Sequence, residues 1–109
     1  MKDSDEQNSQ LRKGLLEMAV LLVISNGPVY ASDILKKLTT NYLLIVEGTL
    51  YPLLSRLKKD GSLNYKWRES KNGPPRKYYQ LTEIGNKKLA QKLAAWKKLN
   101  KSINALITK

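Results

Sequence analysis

Apolar residues recur at helical spacing near the start of the chain and predict a first helix from Leu11 to about Ser25. Its main apolar stripe consists of Leu11, Leu15, Met18 and Leu22, and its other faces carry Leu16, Ala19, Val20 and Val23. A helix that is apolar on nearly every side is buried on nearly every side. Because one chain of 109 residues is too small to surround such a helix, we expect part of it to contact a second copy of the chain.

Two more helices are predicted before the middle of the chain. The segment Asn26-Gly27-Pro28 ends the first helix, because a left-handed glycine followed by proline stops helical hydrogen bonding. Ser32 or Asp33 can cap a short second helix. A third helix is predicted from about Gly48 to Asp60, and Pro52 is expected in or near its first turn because proline lacks an amide hydrogen.

The pattern then changes from helical spacing to alternation. Leu63, Tyr65 and Trp67 alternate with polar residues, which is typical of a strand. Residues 71–75 predict a turn, and residues 77–81 predict a second strand that completes a hairpin. Thr82 is expected to cap a last helix that continues to about Ile107.

This order of elements predicts a mainly α fold with a small β-hairpin, a winged helix-turn-helix followed by a C-terminal dimerisation helix. We expect residues 1–10 to be a flexible tail, residues 11–81 to form the winged helix-turn-helix domain, and residues 82–109 to form the dimerisation helix.

The last helix carries an apolar seam with heptad spacing. The seam consists of Leu89, Leu93, Trp96, Asn100, Ile103 and Ile107. It can pack against its own domain or against the same helix of a partner, and a length of about 25 residues favours the partner because it exceeds so small a domain. The predicted dimer contacts are Leu11, Leu15, Leu89, Leu93, Trp96 and Ile103.

Charge adds a further constraint. The net charge is +11, and residues 56–79 and residues 82–109 each have a net charge of +6, while the rest of the chain is close to neutral. Such an excess favours a polyanionic partner. The chain has no Cys and no His, so we expect no metal and no cofactor. Its start is acidic and polar, unlike a signal peptide, and its longest apolar run, from Leu15 to Ile24, is too short to span a bilayer. These features favour a cytoplasmic protein with no membrane partner.

The basic residues are placed as a DNA-binding domain would need them. The exposed face of the third helix is predicted to carry Thr49, Pro52, Ser55, Arg56 and Lys59, with Tyr51 at its flank. A helix can place such groups against base edges in the major groove of double-stranded DNA. The hairpin adds Lys71, Arg76 and Lys77, which suit a phosphate backbone. The alternatives are a merely solvated helix face and a solubilising loop.

Three stretches resemble a known family. LRKGLLEMAVLLVISNGPVYASDILKKL, EGTLYPLLSRLKKDGSL and GPPRKYYQLTEIG are similar to the PadR family of bacterial transcriptional regulators, most of all to its short members with a single C-terminal dimer helix. The resemblance covers about Leu11 to Leu99. It implies a winged-helix dimer that represses operator-linked genes and, in many members, responds to small phenolic or drug-like compounds. By motif, the DNA contacts are Thr49, Tyr51, Pro52, Arg76 and Lys77.

The chain departs from the family pattern at two places. Ala31-Ser32 stands where the family often has Gly-Tyr, and Val46 stands where it often has a small polar residue. Since the Val46 side chain cannot accept a hydrogen bond, the capping of the third helix is left open.

The resemblance and the seam together suggest an aromatic effector. In a two-fold dimer the two Trp96 indoles would approach each other and could hold a planar aromatic ligand, with Gly14, Glu17, Met18 and Asn100 nearby. The alternative is that Trp96 only fills the dimer core.

Other function classes find less support. No nucleophile–base pair or paired carboxylates have the spacing of an active site, so an enzyme is not expected. A basic RNA-binding or ribosome-associated winged-helix protein is an alternative. A membrane-surface module that uses the last helix is another.

Overall fold

The computed structural model describes residues 15–43 and 45–108. The described part of the first helix, α1, is residues 15–25. The other helices are α2 (Ala31–Thr40), α3 (Glu47–Lys59) and α4 (Glu83–Ile107). The strands are β1 (Val29–Tyr30), β2 (Leu63–Ser70) and β3 (Gly73–Leu81). The predicted fold class, mainly α with a small hairpin of a winged helix-turn-helix, is confirmed.

Helix α1 ends at Ser25, as predicted. Gly27 has a φ of 132° and its amide donates to the carbonyl of Ile24, so the left-handed glycine does close the helix. The predicted start at Leu11 lies outside the described residues, as do Gly14 and the predicted flexible tail.

The start of α2 differs from the prediction that Ser32 or Asp33 caps it. The cap residue is Tyr30, and the Asp33 carboxylate accepts a hydrogen bond from the Tyr30 amide at 3.2 Å. Asp33 is therefore the acidic residue of the first turn that binds back to the cap. The sequence suggested a polar residue at the right place but not its role.

Helix α3 begins at Glu47, and Pro52 lies in its second turn. The missing proline amide leaves the Gly48 carbonyl without its helical donor, and because Gly48 and Pro52 are both exposed, water can replace that bond. Val46 precedes the helix in an extended conformation and provides no side-chain cap. Its carbonyl accepts from the amides of Thr49 and Leu50, which is how the helix begins.

The sheet has three antiparallel strands in the order β1-β3-β2. The two-residue strand β1 was not predicted, because so short a segment shows no alternation. Strand β3 is longer than predicted, since Pro74 and Pro75 lie within it and the turn is confined to Lys71 and Asn72. A proline pair is tolerated there because β1 pairs only with Tyr78 and Tyr79, which leaves one edge of β3 open, and because the pairing with β2 is irregular between Arg68 and Ser70.

The core lies where the helices meet the inner face of the sheet. Its buried side chains are Val20, Leu21, Ile24, Ala31, Ile34, Leu38, Leu50, Leu54, Leu57, Leu63, Tyr79 and Leu89. Helix α4 joins this core only through its first turns, where Leu89 is buried and Leu93 packs against the cluster. Beyond Trp96 the helix is exposed. No helix in the described ranges is both long and apolar enough to cross a membrane.

The junction between the sheet and α4 is tight. The Thr82 side chain accepts a hydrogen bond from the Gly85 amide at 3.1 Å, which confirms Thr82 as the cap of α4. The Thr82 hydroxyl also donates to the carbonyls of Gly61 and Ser62. A Cβ atom at Gly85 would lie 2.1 Å from the Ser62 carbonyl oxygen, so only glycine fits this approach.

Candidate nucleic-acid interface

Helix α3 separates its apolar and polar residues onto opposite faces. Leu50, Leu54 and Leu57 are buried in the core. The predicted contact residues Thr49, Tyr51, Pro52, Ser55, Arg56 and Lys59 are all exposed. The helix therefore presents one continuous surface of hydroxyl, aromatic and basic groups to a partner.

The hairpin of β2 and β3, called the wing below, places its two adjacent basic residues on opposite faces. Lys77 pairs with Trp67 on the inner face, and its Nζ atom lies 4.6 Å from the Tyr65 ring centroid and 5.5 Å from that of Trp67. Arg76 pairs with Arg68 on the outer face, and its guanidinium lies 5.1 Å from the Tyr30 ring centroid. Both cations are thus held against aromatic rings.

A cleft of about 450 Å³ lies between α3 and the wing. Its lining is Tyr30, Ala31, Ser32, Tyr51, Ser55, Trp67, Arg76, Lys77 and Tyr79. We call it the α3–wing cleft. It brings together four of the predicted contact residues, Tyr51 and Ser55 from α3 with Arg76 and Lys77 from β3.

The other predicted contacts lie around the cleft rather than in it. Lys71 lies at the tip of the wing in a groove that also contains Tyr30 and Arg76, and we call this groove the wing-tip groove. Arg56 and Lys59 continue the basic surface along α3. Thr49 and Pro52 are exposed nearer the start of that helix.

Five lining residues were not among the predicted contacts: Tyr30, Ala31, Ser32, Trp67 and Tyr79. Trp67 is paired with Lys77 across the hairpin, so the alternation in β2 places Trp67 on the same face as a predicted contact residue. Tyr30 and Ser32 reach the cleft because β1 runs directly into α2. A strand of two residues is too short to show alternation, so it could not be predicted.

Two acidic residues, Glu17 and Asp60, belong to an ion cluster that joins α1, α4 and the end of α3. Glu17 lies 2.9 Å from Lys92 and 3.1 Å from Lys88, and Lys88 lies 2.8 Å from Asp60. Burial alone would raise the pKa of Glu17, but the ammonium groups of Lys92 and Lys88 outweigh it, so the pKa is lowered. In the same way burial would raise the pKa of Asp60, but the hydrogen bonds from Lys88 and Ser62 outweigh it and lower the pKa to about 2.

Arg56 is the one predicted DNA contact that touches this cluster. Its guanidinium lies 3.4 Å from Glu17, while its side chain is 59% exposed. So long and exposed an ion pair contributes little to stability. Arg56 is therefore free to exchange Glu17 for another anion.

The predicted dimer and effector residues lie along α1 and α4. Leu15, Glu17 and Met18 are partly buried, and Asn100 is exposed. Leu89 and Leu93 pack in or against the core of their own domain. Trp96 is 39% exposed and Ile103 55%. The seam thus divides into a first part that closes the domain and a second part that faces solvent.

Comparison with known proteins identifies the fold. A model of the PadR-like transcriptional regulator family matches residues 20–91, which is well over half of the chain. The chain belongs to the PadR-like family of transcriptional regulators.

Solved structures of other PadR-like proteins agree over nearly the whole chain. A PadR-like transcription factor from Bacteroides fragilis is 51% identical, with a TM-score of 0.78 over 93% of this chain and 98% of that one. A PadR-like regulator from Bacillus cereus is 33% identical, with a TM-score of 0.84 over 92% and 98% of the two chains. One from Eggerthella lenta is 32% identical, with a TM-score of 0.87 over 97% and 93%. The predicted PadR-like regulator with a winged-helix fold is confirmed.

Proposed function

We propose that this PadR-like regulator is a sequence-specific repressor that binds an operator in double-stranded DNA as a homodimer. The observation that carries the proposal is the α3–wing cleft, whose lining includes Tyr51 and Ser55 of α3 together with Arg76 and Lys77 of the wing. Bases are read from a helix and phosphates are held by cations, so the two surfaces have complementary tasks. The proposal also places the protein in the cytoplasm, where it can reach promoter DNA.

In the proposed complex α3 enters the major groove. Thr49 and Tyr51 contact base edges, and Pro52 and Ser55 pack along the groove wall. Arg56 and Lys59 contact phosphates beside the helix, and Arg76, Lys77 and Lys71 contact them from the wing. The only carboxylate in the described chain that pairs with any of these residues is Glu17, which contacts Arg56, so the surface is well suited to a polyanion.

Fluorescence anisotropy tests the proposal with three probes. These are a duplex from the region upstream of its own gene, a scrambled duplex, and an RNA duplex of the same sequence. We expect tight binding to the first, weaker binding to the second, and affinity that falls by about 0.9 log units per neutralised phosphate for each log unit of salt. Preferential binding to the RNA would favour the alternative function in RNA binding.

Variants separate base reading from phosphate binding. Replacing Thr49 with Ala should reduce the preference for the operator over the scrambled duplex by about one to two orders of magnitude, as for a lost base contact. Replacing Lys59 with Ala should instead weaken both duplexes about equally and flatten the salt dependence. Equal effects of the two changes on discrimination would contradict this division.

The proposed homodimer is supported by the second part of α4. Trp96, Leu99, Ile103, Leu106 and Ile107 are large apolar side chains that are at least 39% exposed. They follow one face of a helix that extends beyond its own core, and so long an apolar stripe is a cost in water unless it is covered. A second copy, whose helix offers the same stripe, covers it by two-fold symmetry.

The proposal also includes a small planar aromatic effector that binds at Trp96 and releases the repressor from DNA. Trp96 lies on this exposed stripe. In the proposed dimer the partner's α4 closes the gap beside Trp96, and only then do Glu17 and Met18 become further walls of a ligand site. Titration with planar aromatic dyes should quench the tryptophan fluorescence of the wild type. It should not quench that of Trp96→Ala, in which Trp67 is the remaining fluorophore. Equal dye binding by both proteins would leave Trp96 as a dimer-core residue only. A bound dye would act on repression only if it favoured the dimer conformation that cannot bind DNA.

A further inference from the structure

Two arginines lie directly opposite each other on the outer face of the wing. Arg68 on β2 and Arg76 on β3 are cross-strand partners and both are exposed. Like charges in directly opposed positions of an antiparallel pair destabilise a hairpin. The repulsion between the two arginines must therefore be offset by other groups of the protein or by a bound partner.

Two tyrosine rings supply part of this compensation. Arg68 lies 4.4 Å from the ring centroid of Tyr78, and Arg76 lies 5.1 Å from that of Tyr30. The two rings contact each other edge to face, with centroids 4.7 Å apart. The four side chains thus form a row in which each guanidinium rests on a different ring and the negative ring faces offset the positive charge.

The row is not neutralised by acidic groups. Glu69 lies in the wing-tip groove with Tyr30 and Arg76, but within residues 15–43 and 45–108 all ion pairs involve Glu17 or Asp60. Both arginines therefore keep their donors for an external anion. A planar guanidinium held against a ring loses little further freedom when it binds one.

Tyr30 has a second role that fixes the row to the rest of the domain. Its backbone pairs with Tyr78, and its amide donates a hydrogen bond to the Asp33 carboxylate at the start of α2. Its side chain lines both the α3–wing cleft and the wing-tip groove, as does Arg76. The stacked pair therefore lies where the surface of α3 meets the surface of the wing.

We infer that Tyr30 is a positioning residue for DNA binding, which holds the Arg76 guanidinium in place for a backbone phosphate beside α3. Tyr78 does the same for Arg68. This inference rests on the proposed DNA-binding function but concerns residues that act through another side chain. It predicts that the ring of Tyr30 matters and that its hydroxyl does not.

A double-mutant cycle tests the inference with the full-length protein and a random-sequence DNA duplex at low salt. Arg76→Ala should weaken binding about tenfold, as expected for one lost phosphate contact near 0.1 M salt. Tyr30→Leu should weaken it about two- to fivefold, as expected for a lost cation–ring contact. Tyr30→Phe should bind like wild type. In the Arg76→Ala background, Tyr30→Leu should have no further effect.

The outcomes separate this inference from the proposed function. Additive effects of Tyr30→Leu and Arg76→Ala, or weak binding by Tyr30→Phe, would mean that Tyr30 contacts DNA itself or supports only the fold. Thermal unfolding of each variant identifies the case of a general loss of structure, in which Tyr30→Leu would also weaken binding in the Arg76→Ala background. Failure of the wild type to bind the duplex would instead overturn the proposed function.

Discussion

At the scale of single residues, neighbouring cations in one strand have different surroundings. Arg76 projects from the outer face of the wing, whereas Lys77 is half-buried on the inner face beside Tyr65 and Trp67. The Lys77 ammonium group lies over these rings and the residue also lines the α3–wing cleft, so Lys77 can contribute both to packing on the inner face and to anion binding. The two functions of Lys77 can therefore be separated by mutation.

We predict that Lys77→Met and Lys77→Ala differ in stability but not in DNA binding. Methionine keeps an apolar side chain against the two rings, so the melting temperature of Lys77→Met should stay near that of wild type. Alanine should cost about 0.5–1 kcal/mol, because it loses the packing as well as the charge. Both variants should lose a similar factor in duplex affinity. Calorimetry and anisotropy on the same preparations check this, and equal melting temperatures for the two would contradict it.

The ion cluster around Glu17 gives the protein a defined response to acid. The pKa values of Glu17 and Asp60 are both lowered in the folded state, the latter to about 2. Their contribution to stability is therefore full above their ordinary pKa values of 4.5 and 3.8 and is lost as the pH falls through the folded values. The pKa of Lys88 is raised by its hydrogen bond to Asp60, so its contribution is lost only in strongly alkaline solution.

We predict that the free energy of unfolding falls as the pH is lowered from about 5 to about 2. Glu17→Gln should lower stability at pH 7 by about 1–2 kcal/mol, since it leaves Lys88 and Lys92 with a weaker partner, and should flatten the acid dependence. Glu69→Gln, an exposed wing carboxylate, is the matched control and should change neither. Urea denaturation at a series of pH values measures both quantities. A Glu17→Gln profile parallel to that of wild type would rule out this role.

At the scale of elements, the sequence specified the helices well and the sheet poorly. The helix ends at Ser25, near Lys59 and at Ile107 follow from glycine signals and apolar spacing, which are local properties. The strand β1 and the extension of β3 through Pro74 and Pro75 depend on pairing between distant segments. For the same reason Tyr51, Ser55, Arg76 and Lys77 were predicted as contacts, but not the cleft that unites them or the part that Tyr30 plays in it.

We predict that Gly85→Ala destabilises the protein by about 1–3 kcal/mol, as expected for overpacking. The new Cβ would lie 2.1 Å from the Ser62 carbonyl oxygen, so the junction of α4 with the sheet must shift. Gly48→Ala is the matched control, because nothing lies within 4 Å of a Cβ there. That change should leave stability unchanged or raise it by up to about 1 kcal/mol. Thermal unfolding compares them, and similar values for the two variants would contradict the tight junction.

At the scale of the whole molecule, the division of α4 separates folding from assembly. Its first turns close the domain core through Leu89, and the remainder carries the apolar stripe that we assign to the dimer. A polar change in the first part should unfold the domain. The same change in the second part should leave the domain folded and separate the subunits.

We predict that Ile103→Lys gives a folded monomer. Light scattering at micromolar concentration should report the dimer for wild type and for Ala105→Lys, the control on the opposite face of α4, and the monomer for Ile103→Lys. Operator affinity should fall about 100-fold or more in the monomer, because two linked half-sites no longer bind together. A dimeric Ile103→Lys protein would contradict the assigned seam.

The tight junction at Thr82 and Gly85 has a consequence for the DNA itself. In the proposed dimer α4 is fixed at one end to its domain and at the other to its partner, so we expect the protein to set the separation and relative rotation of the two α3 helices. Inserting about five base pairs between operator half-sites turns the second one to the far side of the duplex, where a rigid dimer cannot reach it. We therefore expect the proposed dimer to select operators by the phase of the double helix as well as by base sequence.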